Sequence, residues 1–221
     1  MKTVIFQTKD DVKIVGDFYQ SQLKNDERSK KSVLLLHILP GLRRDFNEFA
    51  GLLWQQGYNV LNIDERGHGE SEAWPREAGS WQEFTERDYD KMIYDVEAAA
   101  DWLKNKISET ELAIIGGSIG ANLALLYGAK ASPKIVVALS PGLNYKGIKT
   151  EIASRNFRKN LLLIASKDDN YAFESSQRLF DISAAAKKEF IKYEDAGHGT
   201  RMFNAEPELK QRILDFLSKN F

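Results

Sequence analysis

The chain has 221 residues, 43% of them hydrophobic, and its 31 Lys and Arg residues nearly balance its 32 Asp and Glu residues. This length suits one α/β domain, and no linker-like segment divides it, so we expect a single domain over residues 1–221. The charges are scattered along the chain, which argues against a nucleic-acid surface or a polybasic membrane anchor. Cysteine is absent, which excludes a disulfide framework, a thiolate nucleophile and a cysteine metal cluster.

The N-terminal segment predicts two antiparallel strands. Residues 3–8 and 12–19 have strand-like patterns and are joined by a polar turn at residues 9–11. The segment lacks the apolar core of a signal peptide, and no stretch approaches membrane-spanning length. We therefore expect a cytoplasmic protein that does not bind membranes.

From residue 32 onward, predicted strands alternate with predicted helices. Continuous apolar runs are typical of strands buried on both faces of a parallel sheet, and the segments between them have helical spacing of apolar residues. This alternation predicts the α/β class, with about eight strands in a mostly parallel sheet and helices on both faces. The predicted strands cover residues 32–37, 58–63, 111–116, 134–140, 160–166 and 189–194, and the predicted helices cover residues 45–56, 86–106, 118–131, 172–186 and 205–219.

Side chains capable of catalysis follow several of these strands. Ligands of open parallel sheets bind beyond the carboxyl ends of the strands. Ser118 follows one predicted strand, Asp168 and Asp169 follow another, and His198 follows the last. The sequence thus brings a serine, a carboxylate and an imidazole to the same predicted edge.

Ser118 lies in a motif that favours a nucleophile. Residues 116–120 read GGSIG and match G-x-S-x-G, in which small residues allow a strand and a helix to approach closely around an exposed serine. The alternatives are a simple strand-to-helix turn and a phosphate-binding loop. The segment lacks both the G-x-G-x-x-G spacing and a G-K-[ST] sequence, which argues against phosphate binding.

An activated serine needs a general base and a carboxylate that orients the base. His198 lies between two glycines after the last strand, which suits a base that turns between nucleophile and leaving group, although a surface-loop histidine is the alternative. His37 is better explained as an anchor of the loop that follows it, and His68 as a packed loop residue. Spacing favours Asp168 over Asp169 as the carboxylate, and either aspartate is also suited to cap the next helix.

The order Ser118, Asp168, His198, together with the G-G-S-I-G turn, resembles the α/β-hydrolase family. The likeness covers nearly the whole chain. Residues 34–41 (LLLHILPG) resemble the family's oxyanion loop, residues 64–71 (DERGHGES) resemble its D-x-R-G-H-G-x-S segment, and residues 117–124 (GSIGANLA) resemble the helix that follows the nucleophile in its esterase-like members.

This resemblance implies a serine hydrolase with a Ser-His-Asp triad and an oxyanion hole formed by the backbone amides of Leu39 and Ile119. One residue departs from the family pattern, because Ile38 follows His37 where many members have glycine. The implied reaction is hydrolysis of small to medium carboxylic esters through an acyl-enzyme, without a metal or an organic cofactor. Thioesters, lactones and carbon–carbon bonds are alternative substrates of the same fold, and a non-catalytic binding protein is the alternative of another class.

The sequence says less about the residues that line the substrate pocket than about the catalytic residues. Trp74, Trp81, Leu143 and Tyr145 lie near predicted strand ends and are candidates to line it. The two tryptophans are equally well explained as packing a long loop onto the domain. Residues 141–160 are too few for the helical cap domain that many related enzymes insert there, so we expect a relatively open mouth.

Overall fold

The computed structural model describes residues 1–23, 26–71 and 80–221. Among these residues the strands are β1 (Lys2–Gln7), β2 (Lys13–Tyr19), β3 (Lys31–Leu36), β4 (Asn59–Asp64), β5 (Glu111–Gly117), β6 (Ile135–Leu139), β7 (Asn144–Tyr145), β8 (Ile148–Lys149), β9 (Asn160–Ser166) and β10 (Lys187–Tyr193). The helices are α1 (Asn47–Gln55), α2 (Glu86–Lys91), α3 (Ile93–Lys106), α4 (Ile119–Ala131), α5 (Glu151–Asn156), α6 (Asn170–Ile182), α7 (Met202–Ala205) and α8 (Leu209–Asn220).

Eight of the described strands form one sheet in the order β1-β2-β4-β3-β5-β6-β9-β10. The β1-β2 and β2-β4 pairs are antiparallel, and the other pairs are parallel. The predicted eight-stranded, mostly parallel sheet is confirmed. No helix in the described ranges is long and apolar enough to cross a membrane.

Both faces of the sheet are buried under helices, which explains why its central strands are apolar throughout. In β3, Leu34 and Leu36 join one hydrophobic cluster with residues of α3, α4 and α6. Val33 and Leu35, which point to the opposite face, join a second cluster with residues of α1 and α8. A strand in this position needs apolar side chains on both faces, and the sequence of β3 supplies them.

The largest differences between the structure and the sequence prediction lie in two segments. The predicted helix over 86–106 is divided at Met92, where the backbone makes i→i−3 hydrogen bonds in place of the helical i→i−4 pattern. The segment between residues 141 and 160, for which the sequence predicts no helix or strand, contains the β7-β8 hairpin and α5. The hairpin turns at Lys146 and Gly147, both with positive φ, and these elements are too short to show a hydrophobic period.

The parallel register brings the predicted functional residues to one edge of the sheet. Gly117 at the end of β5 pairs with Leu139 at the end of β6. Ser166 at the end of β9 pairs with Tyr193 at the end of β10. The loops that carry Ser118, the two aspartates and His198 therefore leave the sheet side by side.

Candidate active site

Ser118 occupies a sharp turn between β5 and α4. Its backbone has φ 53° and ψ −117°, an uncommon conformation for a residue with a side chain and one that recurs at functional sites. The turn depends on close backbone approach, because a Cβ atom at Gly116 would lie 2.1 Å from the carbonyl oxygen of Gly120. A Cβ atom at Gly120 would in turn lie 2.6 Å from the carbonyl oxygen of Leu36. The glycines of the G-x-S-x-G motif are therefore required by packing around Ser118.

The imidazole of His198 is held by a carboxylate. Its Nδ1 lies 2.5 Å from Oδ2 of Asp169, and the two side chains are 28% and 20% exposed. A proton on Nδ1 that is donated to this carboxylate leaves Nε2 free to accept another. The arrangement has the chemistry of an oriented general base.

The loop that carries His198 lies against the Ser118 turn. The backbone N–H of Gly199 donates to Oγ of Ser140 at 2.9 Å, which ties this loop to the end of β6. A Cβ atom at Gly199 would lie 3.8 Å from the backbone nitrogen of Ser118. The structure thus places the loop of the predicted histidine against the turn of the predicted serine.

The predicted choice of Asp168 as the partner of His198 is wrong, because Asp169 makes that contact. The chain continues in register with β10 for two residues beyond Ser166, and the N–H of Asp168 still donates to the carbonyl of Glu194 at 3.1 Å. It turns only at Asp169, whose own N–H donates to the carbonyl of Ser166. Asp169 is the residue that precedes α6, and its side chain reaches the imidazole.

Asp168 instead supports the backbone of the His198 loop. Its carboxylate accepts the N–H of Gly197 at 3.0 Å and the hydroxyl of Ser166. The hydrogen bond from Ser166 is the main reason why the pKa of Asp168 is lowered from its usual value. Ser166 also accepts the N–H of Ala196 at 2.8 Å, so this pair fixes the chain just before His198.

The predicted oxyanion donors flank the turn. Ile119 is the first residue of α4, where backbone N–H groups have no partner within the helix. Leu39 is half-buried in the loop after β3. Ile38, which stands where many family members have glycine, is buried between the Ser118 and His198 loops. Its Cγ2 is so close to both loops that a Cβ atom added at Gly117 would lie 2.7 Å from it, and one added at Gly199 would lie 2.6 Å from it.

A second group of titratable side chains lies beneath the oxyanion loop, and sequence reasoning missed one member. His37 is fully buried, with Nδ1 2.8 Å from the carbonyl oxygen of Ile38 and Nε2 2.5 Å from Oε2 of Glu65. Burial disfavours the charged imidazole, but the Glu65 carboxylate outweighs it and raises the pKa of His37. Burial also raises the pKa of the Glu65 carboxyl, although its contact with His37 opposes this rise. The sequence feature that could have pointed to a functional role for Glu65 is its position directly after β4.

His68 is held as a neutral ring next to this pair. Its Nδ1 donates to the carbonyl of Arg66 at 2.9 Å, and its ring meets that of His37 edge-on with centroids 4.7 Å apart. Burial is the main cause that lowers the pKa of His68 to about 3. Trp81 stacks on the same ring at 5.6 Å, and this agrees with the interpretation of His68 as a packed loop residue.

Replacing His68 with glutamine is expected to reduce the loss of stability at acidic pH. The unfolded chain binds a proton at His68 near pH 6.5, whereas the native chain resists it until about pH 3. The free energy of unfolding therefore falls as the pH drops through this window, by about 2 kcal/mol between pH 8 and pH 5 from this group. Urea unfolding of wild type and His68→Gln at both pH values measures the difference. Equal losses in the two proteins would contradict this assignment.

Two of the candidate pocket residues can be placed, one near His198 and one near the loop that follows β3. Tyr145 approaches the imidazole of His198, with ring centroids 6.2 Å apart, and both Tyr145 and Leu143 pack against the core. Trp81 lines a cleft of about 360 Å³ together with Pro40, the residue after Leu39. Trp74 lies outside the described residues.

The chain is similar to known hydrolases. It is 24% identical to the lysophosphatidylserine lipase ABHD12 of Xenopus tropicalis, in an alignment that covers 84% of this chain and 57% of that protein. It is 31% identical to a proline iminopeptidase of Thermoplasma volcanium over 54% of this chain and 37% of that protein. The chain thus spans less than two thirds of the length of either relative.

The Pyrococcus furiosus esterase Pf2001 has a similar structure. The two share a TM-score of 0.79 with 24% sequence identity, over 99% of this chain and 91% of the esterase. This likeness confirms the predicted α/β-hydrolase fold. The sequence profile of the family described as serine aminopeptidase, S33, matches residues 27–157, which include the loop after β3 and the Ser118 turn. Because this match covers more than half of the chain, the protein belongs to this family of α/β hydrolases.

Proposed function

We propose that the protein is a serine hydrolase that cleaves small to medium carboxylic esters through an acyl-enzyme. In this proposal Ser118 is the nucleophile, His198 is the general base and Asp169 is the carboxylate that orients it. The observation that carries the proposal is the 2.5 Å contact between His198 Nδ1 and Asp169, in a loop that lies against the strained Ser118 turn. A purely structural histidine would not need this combination.

The proposed reaction follows from these positions. His198 accepts the hydroxyl proton of Ser118 at Nε2, and the serine oxygen attacks the carbonyl carbon of the ester. Asp169 stabilises the resulting imidazolium, and the N–H groups of Leu39 and Ile119 bind the oxyanion. The imidazolium then gives its proton to the leaving alcohol. Water repeats the cycle on the acyl-enzyme and releases the acid.

The preference for esters of modest size is supported by the surroundings of the site. Tyr145, Leu143 and Trp81 offer partly buried apolar surface, with Tyr145 near His198 and Trp81 near the loop that follows β3. The segment at 141–160 forms a short hairpin and one six-residue helix, which is too little chain for a cap domain. An open site of this kind suits substrates that need no deep enclosure.

Labelling with a fluorophosphonate probe tests the proposed nucleophile. The probe should label the wild-type protein at one site, fail to label Ser118→Ala and label His198→Ala far more slowly, because the serine then lacks its base. Circular dichroism and thermal unfolding of each variant serve as the folding control. Labelling of His198→Ala at the wild-type rate would contradict the proposal.

A substrate panel tests the bond that is cleaved. Wild-type protein should hydrolyse p-nitrophenyl acetate and butyrate with a higher kcat/KM than an aliphatic thioester, a lactone or prolyl p-nitroanilide. The last substrate addresses the similarity to proline iminopeptidase. A higher kcat/KM on the anilide would show that the triad serves peptide hydrolysis, while no turnover of any substrate, with no labelling, would favour a binding protein of hydrolase fold.

A further inference from the structure

We propose that His37 and Glu65 form a buried positioning pair that aims the N–H of Leu39 at the oxyanion. This inference rests on the proposed function, because the Leu39 amide acts only if an oxyanion forms beside it. Neither side chain is placed in contact with substrate. The pair would act on the reaction through one peptide group.

That peptide group joins Ile38 and Leu39. Its carbonyl belongs to Ile38 and its N–H belongs to Leu39, and the planarity of the peptide bond makes the two point in fixed, opposite directions. The Nδ1–H of His37 donates to this carbonyl at 2.8 Å. A hydrogen bond that fixes the carbonyl therefore also fixes the direction of the proposed oxyanion donor.

Glu65 holds the imidazole from its other side. Its carboxyl Oε2 lies 2.5 Å from Nε2 of His37 and 3.3 Å from the backbone nitrogen of His37, which donates to it. The backbone N–H of Glu65 also approaches Nε2, at 3.1 Å. These reciprocal contacts join the ends of β3 and β4, so the ring has little freedom to rotate.

The pair also affects the strength of the oxyanion donor. Because the Glu65 carboxyl is in hydrogen-bond contact with Nε2, it polarises the imidazole, and a polarised ring is a stronger donor at Nδ1. Hydrogen bonds in series polarise one another, so the Ile38 carbonyl becomes a better acceptor and the Leu39 N–H a better donor.

Stability alone does not account for this pair. Both side chains are fully buried, and the cost of removing them from water largely cancels their attraction. Oε1 of Glu65 adds to the cost, since it has no hydrogen-bond partner among the described residues. Orientation of the loop is the specific consequence that the geometry offers.

Two substitutions of His37 separate its two contacts. The amide of His37→Asn lies near the position of Nδ1 and can donate to the Ile38 carbonyl, whereas the longer side chain of His37→Gln places its amide near Nε2 and leaves that carbonyl without its donor. We expect His37→Gln to lower kcat on p-nitrophenyl butyrate by about 10- to 100-fold with KM nearly unchanged. We expect His37→Asn to restore most of this loss and Glu65→Gln to lower kcat by a smaller factor.

An inhibitor that forms an oxyanion gives a second readout. A trifluoromethyl ketone adds the serine oxygen and presents a negatively charged oxygen to the donors, so its Ki should rise in His37→Gln by about the same factor as kcat falls. Asn59→Ala is the matched control, because Asn59 is a buried hydrogen-bonding residue at the opposite end of β4. It should lower the melting temperature without changing kcat or the Ki of the ketone.

The possible outcomes distinguish the two proposals. Turnover that requires Ser118 but is unchanged in His37→Gln would overturn this inference alone. Equal loss of kcat in His37→Gln, His37→Asn and Asn59→Ala, in step with their melting temperatures, would also overturn it. Turnover that persists in Ser118→Ala would overturn the proposed function and this inference with it. If His37→Gln does not fold, the same measurements of kcat and of the Ki of the ketone are made on Glu65→Gln and His37→Asn instead.

Discussion

Replacing Ser118 with alanine is expected to lower kcat by about 10⁴- to 10⁶-fold and to leave the fold intact. Ser118 is 6% exposed, and in the proposed mechanism it supplies the oxygen that attacks the ester, a role that no neighbouring group replaces. Alanine has the same Cβ atom as serine, and the positive φ of the turn costs it no more than it costs serine. Hydrolysis of p-nitrophenyl butyrate and the melting temperature measure the two effects.

The chain offers a control serine that also has a positive φ. Ser132 lies at the opposite end of α4, with φ 50° and ψ 50° against φ 53° and ψ −117° at Ser118. Ser132→Ala removes the same atom from a residue far from the carboxyl edge of the sheet. It should retain wild-type kcat. A Ser118→Ala protein that hydrolyses the ester within tenfold of the wild-type rate would show that the nucleophile lies elsewhere.

Replacing Asp169 with asparagine is expected to lower kcat by about 10³- to 10⁴-fold. In the proposed mechanism this carboxylate, which lies 2.5 Å from Nδ1 of His198, accepts the Nδ1 proton and stabilises the imidazolium. An asparagine amide can turn its NH₂ toward Nδ1, which leaves the proton on Nε2 and removes the lone pair that would accept the serine proton. The fold should be retained, because the contact is partly exposed and the substitution keeps the size of the side chain.

Asp168, the adjacent aspartate, provides a matched control for this prediction. Asp168→Asn keeps an oxygen that accepts the N–H of Gly197, so the loop before His198 stays supported. Its kcat should fall by less than about tenfold. Steady-state kcat at saturating ester for both variants measures the difference. A larger loss of kcat in Asp168→Asn than in Asp169→Asn would instead identify Asp168, which the sequence spacing favoured, as the carboxylate that orients His198.

The architecture was predictable because it follows from local burial. Leu34 and Leu35 face opposite sides of β3 and both are buried, so an uninterrupted apolar run identified a central strand. The Ser118 turn was predictable for a related reason. Its glycines are dictated by contacts within a few residues of the chain or with one neighbouring strand, and a short motif preserves that information.

The choice between the two aspartates was not predictable, because it depends on a distant strand. The backbone of Asp168 pairs with Glu194, and this pairing decides which carboxylate reaches His198. Glu65 was missed for a similar reason, since its partner His37 lies 28 positions away in sequence. The catalytic roles, the cytoplasmic location and the single-domain organisation of residues 1–221 remain predictions.

Ile38 gives the site a property that single substitutions would conceal. Its side chain fills the space between Gly117 and Gly199, so the backbone segments that carry Ser118, His198 and Leu39 pack against the same few methyl and methylene groups. The volumes at positions 38, 117 and 199 are therefore coupled, and the free energies of substitutions there will not add. A library meant to reshape this enzyme should vary the three positions jointly, since a larger residue at either glycine fits only when position 38 becomes smaller.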